Sequence, residues 1–335
     1  MTRRITMSDV AREAGVSLMT VSRVLNNKGE VSPATRQRVL DIMARLDYRP
    51  SGVARSLVTR RTSTVGLVVP DNANPFFSEI ARGVEHAAYA RGYNVFLCNT
   101  DEDAERERAV LRSLEEKCVD GVVLCSSRLE DDELRTVIAC HPAAVLVNRR
   151  LEGKGISVAL VDDESGGRMA TAYLLRVGRR RVGFLTGPPA SRSGRQRVKG
   201  YLDAFAAAGL PHSSAWMRPC APTVEGGRQV ARELISAHPG LTALLCYNDL
   251  VAVGALQACA ELHCAVPGQL AVVGFDDIPL AALVTPPLTT CRAPRYELGC
   301  EAMRLLLERI AGSPEQRGEV VLQPELIVRA SAPER

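Results

Sequence analysis

Aromatic residues are scarce, 4% of 335 with a single Trp, and the ten cysteines never fall in C-x-x-C spacing. The thiols are scattered singly through apolar segments, as at Cys98, Cys125, Cys246 and Cys291. That is the pattern of buried thiols in a reducing compartment, not of a disulfide framework. The closest pair, Cys259 and Cys264, has only His263 beside it, and the five histidines show no ligand spacing, so no metal is expected. There is no G-x-G-x-x-G or Walker pattern and no nucleophile with a base, which argues against an enzyme and against a cofactor. No apolar run reaches the roughly 18 residues that span a bilayer. The basic start, Met1-Thr2-Arg3-Arg4, leads into no apolar h-region. A cytoplasmic protein without a membrane partner is expected.

The length predicts two or three packed units, and 46% hydrophobic with 24% charged residues is ordinary for a globular chain. Charge is unevenly placed. Residues 1–61 hold 12 Lys/Arg against 5 Asp/Glu, a net of +7, while the rest holds 30 against 33, a net of −3. A basic head on a near-neutral body points to a polyanion at one end.

Thr6-Met7-Ser8-Asp9 has the form of a capping box, and Met7, Val10, Ala11 and Ala14 then fall on one helical face. Gly15 supplies the left-handed stop, and Ser17 the N-cap of a second helix running to about Asn26. At about 100° per residue, Val21, Val24 and Leu25 share one side of it. Met19, Ser22, Arg23 and Asn26 share the other, with Leu18 between. Hydroxyl, guanidinium, amide and apolar tip are the groups that read base edges in the major groove. Ser32 and Pro33 announce a third helix with the stripe Val39, Leu40, Ile42, Met43 and Leu46. The short stretch after Pro50, with Gly52 inside it, is too short to hold alone and is expected to order on DNA.

The segments TMSDVAREAGVSLMTVSRVLNN, VSPATRQRVL and YRPSGVARSL resemble the LacI family of bacterial regulators, in particular its ribose and purine repressor branch, and the likeness runs almost from end to end. It implies that the helix beginning at Ser17 reads bases, with Leu18, Met19 and Arg23 at the reading positions, and that Leu57 wedges into the minor groove of a pseudopalindromic operator. The DNA-contacting set expected is Ser17, Leu18, Met19, Thr20, Ser22, Arg23, Asn26, Ser32, Val53, Ala54 and Leu57.

From Thr64 onward, strand candidates 65–69, 95–97, 121–124 and 144–147, then 182–185, 241–245 and 271–275, alternate with helical periodicity. This βαβ rhythm predicts parallel sheets covered on both faces, in two lobes. Ligands bind beyond the carboxyl ends of such strands. Asn74, Phe76, Phe77, Asn148, Arg149, Arg195, Asn248 and Asp276 stand there, a lining of amides, charges and aromatic faces suited to a polyol.

The body also resembles periplasmic ribose-binding proteins, and the same eight residues match sugar-contacting positions. Asn148 replaces a common aspartate, Pro222 falls near a usual aromatic, and Ala293 replaces a usual glutamine, so the likeness implies a related sugar or polyol more than ribose itself. The expected organisation is an all-α helix-turn-helix head (1–50), a hinge and linker (51–63) and an α/β two-lobed, periplasmic-binding-protein-like body (64–335). Lobe 1 takes about 64–162 and 293–325, and lobe 2 takes 163–292 and 326–335. The expected function is a homodimeric transcriptional repressor of carbohydrate uptake or catabolism genes, bound to double-stranded DNA and released by a small sugar or polyol. Corepression by a purine-like metabolite is the alternative.

Overall fold

The computed structural model describes residues 5–25, 29–48, 61–151, 156–312 and 318–334. The expected DNA contacts Asn26, Val53, Ala54 and Leu57 lie outside the described residues. The chain divides after Thr62 into a head and a body.

The head holds α1 (Met7–Ala14), α2 (Leu18–Leu25) and α3 (Pro33–Arg45). Thr6 and Asp9 close the capping box in both directions: the Asp9 N–H donates to the Thr6 hydroxyl at 3.3 Å and the Thr6 N–H to the Asp9 carboxylate at 3.0 Å. Gly15 takes φ +63°, a value that costs glycine no steric strain, and lets the Val16 N–H return to the Ala11 carbonyl at 3.0 Å. The Ser17 hydroxyl accepts from the Thr20 N–H at 3.1 Å and Ser32 from Thr35 at 3.2 Å, so each serine starts its helix. Val10, Ala14, Val21, Val24, Val39 and Ile42 form the small core. Leu40, expected in that stripe, is exposed. It stands about 100° from Val39, and three short helices cover only one side of α3.

In the body, the first sheet takes β1 (Thr64–Val69), β2 (Asn94–Asn99), β3 (Gly121–Cys125), β4 (Ala144–Val147), β5 (Ser157–Val161) and β11 (Glu319–Leu322). Their spatial order is β2-β1-β3-β4-β5-β11, all parallel. The second takes β6 (Val182–Leu185), β7 (Met217–Arg218), β8 (Ala243–Cys246), β9 (Ala271–Asp276), β10 (Thr289–Arg292) and β12 (Glu325–Ile327), in the order β7-β6-β8-β9-β10-β12. Strands β3 and β4 are buried at every residue because helices cover both faces. Helices α4 (Pro75–Tyr89), α5 (Ala104–Glu116), α6 (Asp131–Ala139) and α12 (Arg295–Ile310) belong to the first lobe. The second has α7 (Asp163–Arg176), α8 (Arg192–Ala207), α9 (Val224–Ala237), α10 (Asp249–Glu261) and α11 (Pro279–Leu283).

The sequence predicts two parallel sheets, but the second departs from this in one strand: β12 runs antiparallel to β10. The parallel strands end at the cleft between the lobes. A strand that enters the second lobe from the first runs away from that cleft, hence the reversal. Glu325 already pairs with Arg292 in this sheet, so the third crossing between lobes lies at Gln323-Pro324 and not after residue 325. The other crossings fall between β5 and α7 and between β10 and α12.

Helices α7 and α8 cross through reciprocal glycines. A Cβ on Gly200 would stand 2.0 Å from the Glu164 carbonyl oxygen, and one on Gly167 would stand 2.4 Å from that of Arg197. This backbone contact sets the depth at which Asp163 and Arg197 meet.

Candidate functional site

On α2 the inner face is closed and the outer face is open. Val21 and Val24 are buried, while Leu18 and Met19 are 51% and 63% exposed. Arg23, on the outer side, pairs with Glu30 at 3.0 Å. Exposed pairs of this kind contribute under about 1 kcal/mol, so the guanidinium is released at little cost to a stronger acceptor. The caps that start α2 and α3 place the Ser17 and Ser32 hydroxyls at helix N-termini, where phosphate oxygens are favoured.

In the body, Asn74, Phe76, Phe77, Asn148, Asn248 and Asp276 converge on one cleft. Each asparagine first accepts from a backbone N–H. The Asn74 side-chain oxygen accepts from the Phe76 N–H at 3.0 Å, Asn248 from Val251 at 2.9 Å, and Asn148 from Val161 at 3.0 Å. Their carbonyl oxygens each hold one backbone N–H, and the amide NH2 groups face a ligand, that of Asn248 also donating to the Pro222 carbonyl at 3.4 Å. Phe76 and Phe77 meet edge to face with centroids 5.1 Å apart, both buried against the first-lobe core.

Two expected residues are elsewhere. Arg195 is exposed and donates to the Pro189 carbonyl at 2.9 Å. Arg149 is buried, but it donates to the Leu129 carbonyl at 2.8 Å and to Asp131 at 2.7 Å, tying a loop within the first lobe. The guanidinium in the cleft is that of Arg197, which sequence reasoning missed along with Glu102, Ser126, Ser193 and Tyr247. The signal was present. Gly194, Arg197, Tyr201 and Ala204 fall on the buried face of α8, and an arginine on such a stripe needs a partner. Residue 195 lies about 200° away on the same helix, toward solvent.

Arg197 organises the cleft floor. It donates to Asp163 at 2.8 Å and to the Tyr247 carbonyl, stands 3.8 Å from Asp276, and lies over the Phe275 ring at 3.5 Å from its centroid. Asp276 takes φ +112°, a strained value for any residue with a Cβ. Burial raises its carboxyl well above the ordinary range, with Arg197 opposing. Burial likewise pushes Asp249 up to about 7, although Thr290 and the Ile278 N–H donate to it at 2.6 and 2.8 Å. Arg197 thus sits between the buried carboxyl groups of Asp163 and Asp276, while Arg295 acts on Asp276 and Asp249 as a second cation.

The void among these side chains is about 20 Å³, enough for a water. Admitting a sugar there requires the lobes to part. Among the described residues no group of three or more His, Cys, Asp or Glu is placed to hold a metal, and no helix is long and apolar enough to cross a membrane.

Residues 6–51 match the family model of bacterial regulatory proteins, lacI family, and residues 62–329 match that of periplasmic binding proteins and sugar binding domain of LacI family. This chain belongs to the LacI family. It is 36% identical to the ribose operon repressor of Halalkalibacterium halodurans, over 97% of this chain and 96% of that protein. It is 35% identical to the HTH-type transcriptional repressor PurR of Photobacterium profundum, over 97% and 98%. Among solved structures it is similar to the lac repressor dimer bound to operator and the anti-inducer ONPF, with TM-score 0.86 and 26% identity over 99% of this chain and 100% of that one. As a LacI-family member it is a DNA-binding transcriptional regulator, and the relatives it matches are transcriptional repressors, not enzymes.

Proposed function

We propose that this LacI-family chain represses carbohydrate genes as a homodimer, two heads holding one pseudopalindromic operator until a small sugar or polyol binds in the body. The observation that carries the reading is the face of α2 that presents Leu18, Met19 and Arg23 outward while Val21 and Val24 are buried behind it. Thr20 and Ser22 belong to the same reading set, with Ser17 and Ser32 holding phosphates. Residues 1–50 serve as the DNA unit, 51–63 as the hinge and 64–335 as the effector unit. The effector set is Asn74, Phe76, Phe77, Asn148, Asn248 and Asp276, with Arg197 as its cation.

Exposed apolar side chains support self-association on both lobes. Edge strand β2 exposes Phe96 and Leu97 at 45% and 47%, Tyr89 beside it is 82% exposed, and Leu283 on α11 is 77% exposed. An edge strand and apolar patch of this kind favour a partner surface. Movement of the lobes about the three crossings would pass the effector signal to the first lobe. Such coupling is reciprocal, so the operator weakens the effector by the same factor. Likeness to PurR favours a second reading, corepression.

The test is gel shift of the purified protein on genomic fragments at moderate salt, with and without candidate sugars. Selective retention of a fragment, lost on adding a sugar, is expected. Retention strengthened by a purine selects the second reading. Absence of selective retention of any fragment overturns the DNA-reading role of α2.

A further inference from the structure

A groove of about 840 Å³ lies on the surface of the second lobe, between α7 and α8 and apart from the cleft. Helix α7 lines it with Ser165, Arg168, Met169, Ala172, Leu175 and Arg176. At about 100° per residue these six share one stripe, turned away from Ala170, Tyr173 and Leu174, which pack into the lobe core. The far wall is the end of α8, with Ala204, Ala207 and Ala208, and Leu210 just beyond. Alanines keep this floor low, so that another helix can approach closely.

The charge in the lining is of one sign. Among the described residues Arg168, Arg176 and Arg180 line the groove and no carboxylate does. Arg176 pairs with Glu334 at 2.9 Å, an exposed pair that contributes little. The Arg168 guanidinium donates to the Ser165 hydroxyl at 3.2 Å. Among the described residues neither Arg168 nor Arg180 has a carboxylate within salt-bridge distance. Asp162 acts on Arg168 only from farther away and accepts the Ser165 N–H at 3.0 Å, while Asp203 on α8 acts on Lys199 and does not line the groove. With Arg176 paired, the charges of Arg168 and Arg180 remain unanswered.

We propose that this groove docks an acidic amphipathic helix of a partner protein, its apolar stripe over Met169 and the alanines and its carboxylates on Arg168, Arg176 and Arg180. Helices that lay an apolar face into a groove are a common mode of recognition, and guanidinium groups on the rim suit carboxylates. The spacing favours a helix over a single-headed amphiphile. Arg168 and Arg176 stand about 12 Å apart along α7 at 1.5 Å per residue, a span that two carboxylates on one helix cover and one head group does not. A second copy of this chain fits less well. The exposed Leu283 belongs to α11, which packs through Ala281 with α9 and α10 on the other face of the second sheet, so a copy joined there leaves the groove open. Ser165 follows the first crossing between the lobes and Gln323 stands at the third, so a docked helix touches segments about which the lobes move. The proposal does not depend on the sugar reading.

The test is fluorescence anisotropy of the full chain with two labelled peptides of about 18 residues, long enough to form helix. Both carry the same Leu/Ala stripe, flanked by Glu in one and by Lys in the other. The Glu peptide is expected to bind at least about tenfold more tightly than the Lys peptide, with a difference that shrinks as salt rises. The double variant Arg168→Glu, Arg176→Glu should reverse the preference with the melting curve unchanged, since both side chains are exposed. Ala207→Trp raises the floor and should release the Glu peptide with every arginine in place. No binding of the Glu peptide, equal binding of the two peptides, or Glu-peptide binding that survives these variants overturns the proposal. So does decanoate held more tightly than the Glu peptide, which gives the groove to a single-headed amphiphile. Self-association in sedimentation that Arg180→Glu abolishes and the Glu peptide does not compete with gives it to a second copy and overturns the proposal as well.

Discussion

Replacing Arg197 by Met should destabilise the body by about 3–5 kcal/mol at pH 7.5, the cost of stripping a buried carboxylate of its partner. Arg197 and Asp163 are 5% and 6% exposed, and the guanidinium reaches Asp163 through two nitrogens while also facing Asp276. Methionine fills much of the same volume, so the loss is electrostatic more than steric. For a unit of this size the melting temperature should fall by roughly 6–20 °C. The Asp276 carboxyl, already raised by burial, takes up its proton more readily once the cation is gone, so the deficit should shrink toward pH 5. The companion Asp163→Leu removes the orphaned charge, and the double variant should recover most of the lost stability, since well-packed apolar groups replace buried ion pairs at little cost. Differential scanning calorimetry of the wild type, both single variants and the double closes the cycle. A single Arg197→Met variant melting within about 2 °C of wild type, or a double variant no better than the single, would refute the central place given to this pair.

Arg23→Ala should weaken binding to the cognate operator by about 1–3 kcal/mol while hardly changing retention of random DNA; equal losses in titrations on both would mean that Arg23 touches phosphate only. Gly200→Ala places a methyl about 2.0 Å from the Glu164 carbonyl oxygen and should cost about 1–3 kcal/mol in urea unfolding, with effector affinity reduced because Arg197 shifts; an unchanged midpoint argues against the close α7–α8 contact. Asp249 is held up to about 7 by burial, so the folded chain binds more protons than the unfolded one between about pH 4 and 7. The stability it contributes is full below about pH 4 and is lost as pH rises through 7; Asp249→Asn should remove that component of the slope in pH-dependent melting, and an unaltered slope counts against it. His141 behaves oppositely. Its ring is buried with both nitrogens unpartnered and its pKa is lowered by burial, so the stability it supports above about pH 6.5 should decline below it, a decline that His141→Leu should flatten in acid unfolding.

The head was legible because its determinants are local. The Thr6–Asp9 box, Gly15, and the Ser17 and Ser32 caps each act over three or four residues, and the 100° spacing that buries Val21 turns Leu18 and Met19 outward. The central strands β1, β3, β4, β6 and β9 were likewise visible as apolar runs. Strands β5, β7, β10, β11 and β12 were not; the last three mix polar and apolar types and find their place only by pairing with a sheet built elsewhere in the chain. Asn74 and Asn248 were legible because each caps the helix that follows a strand, a local role, whereas Asn148 at the end of β4 accepts from Val161 on the neighbouring strand.

What the sequence alone determined, then, is the family, through a resemblance that runs almost from end to end, and, through short-range spacing, the outward face of α2 and the polar residues beyond the strands. Which arginine enters the cleft was decided only by tertiary structure. Arg149, Arg195 and Arg197 carry the same group, the first just after β4 and the other two on α8. The reciprocal glycines of α7 and α8 bring Arg197 alone down onto Asp163 and Asp276, leaving Arg195 in solvent and Arg149 tied to Asp131. Long-range charge pairing has no period to read along a chain. It exists only once two helices and a strand end have been brought together.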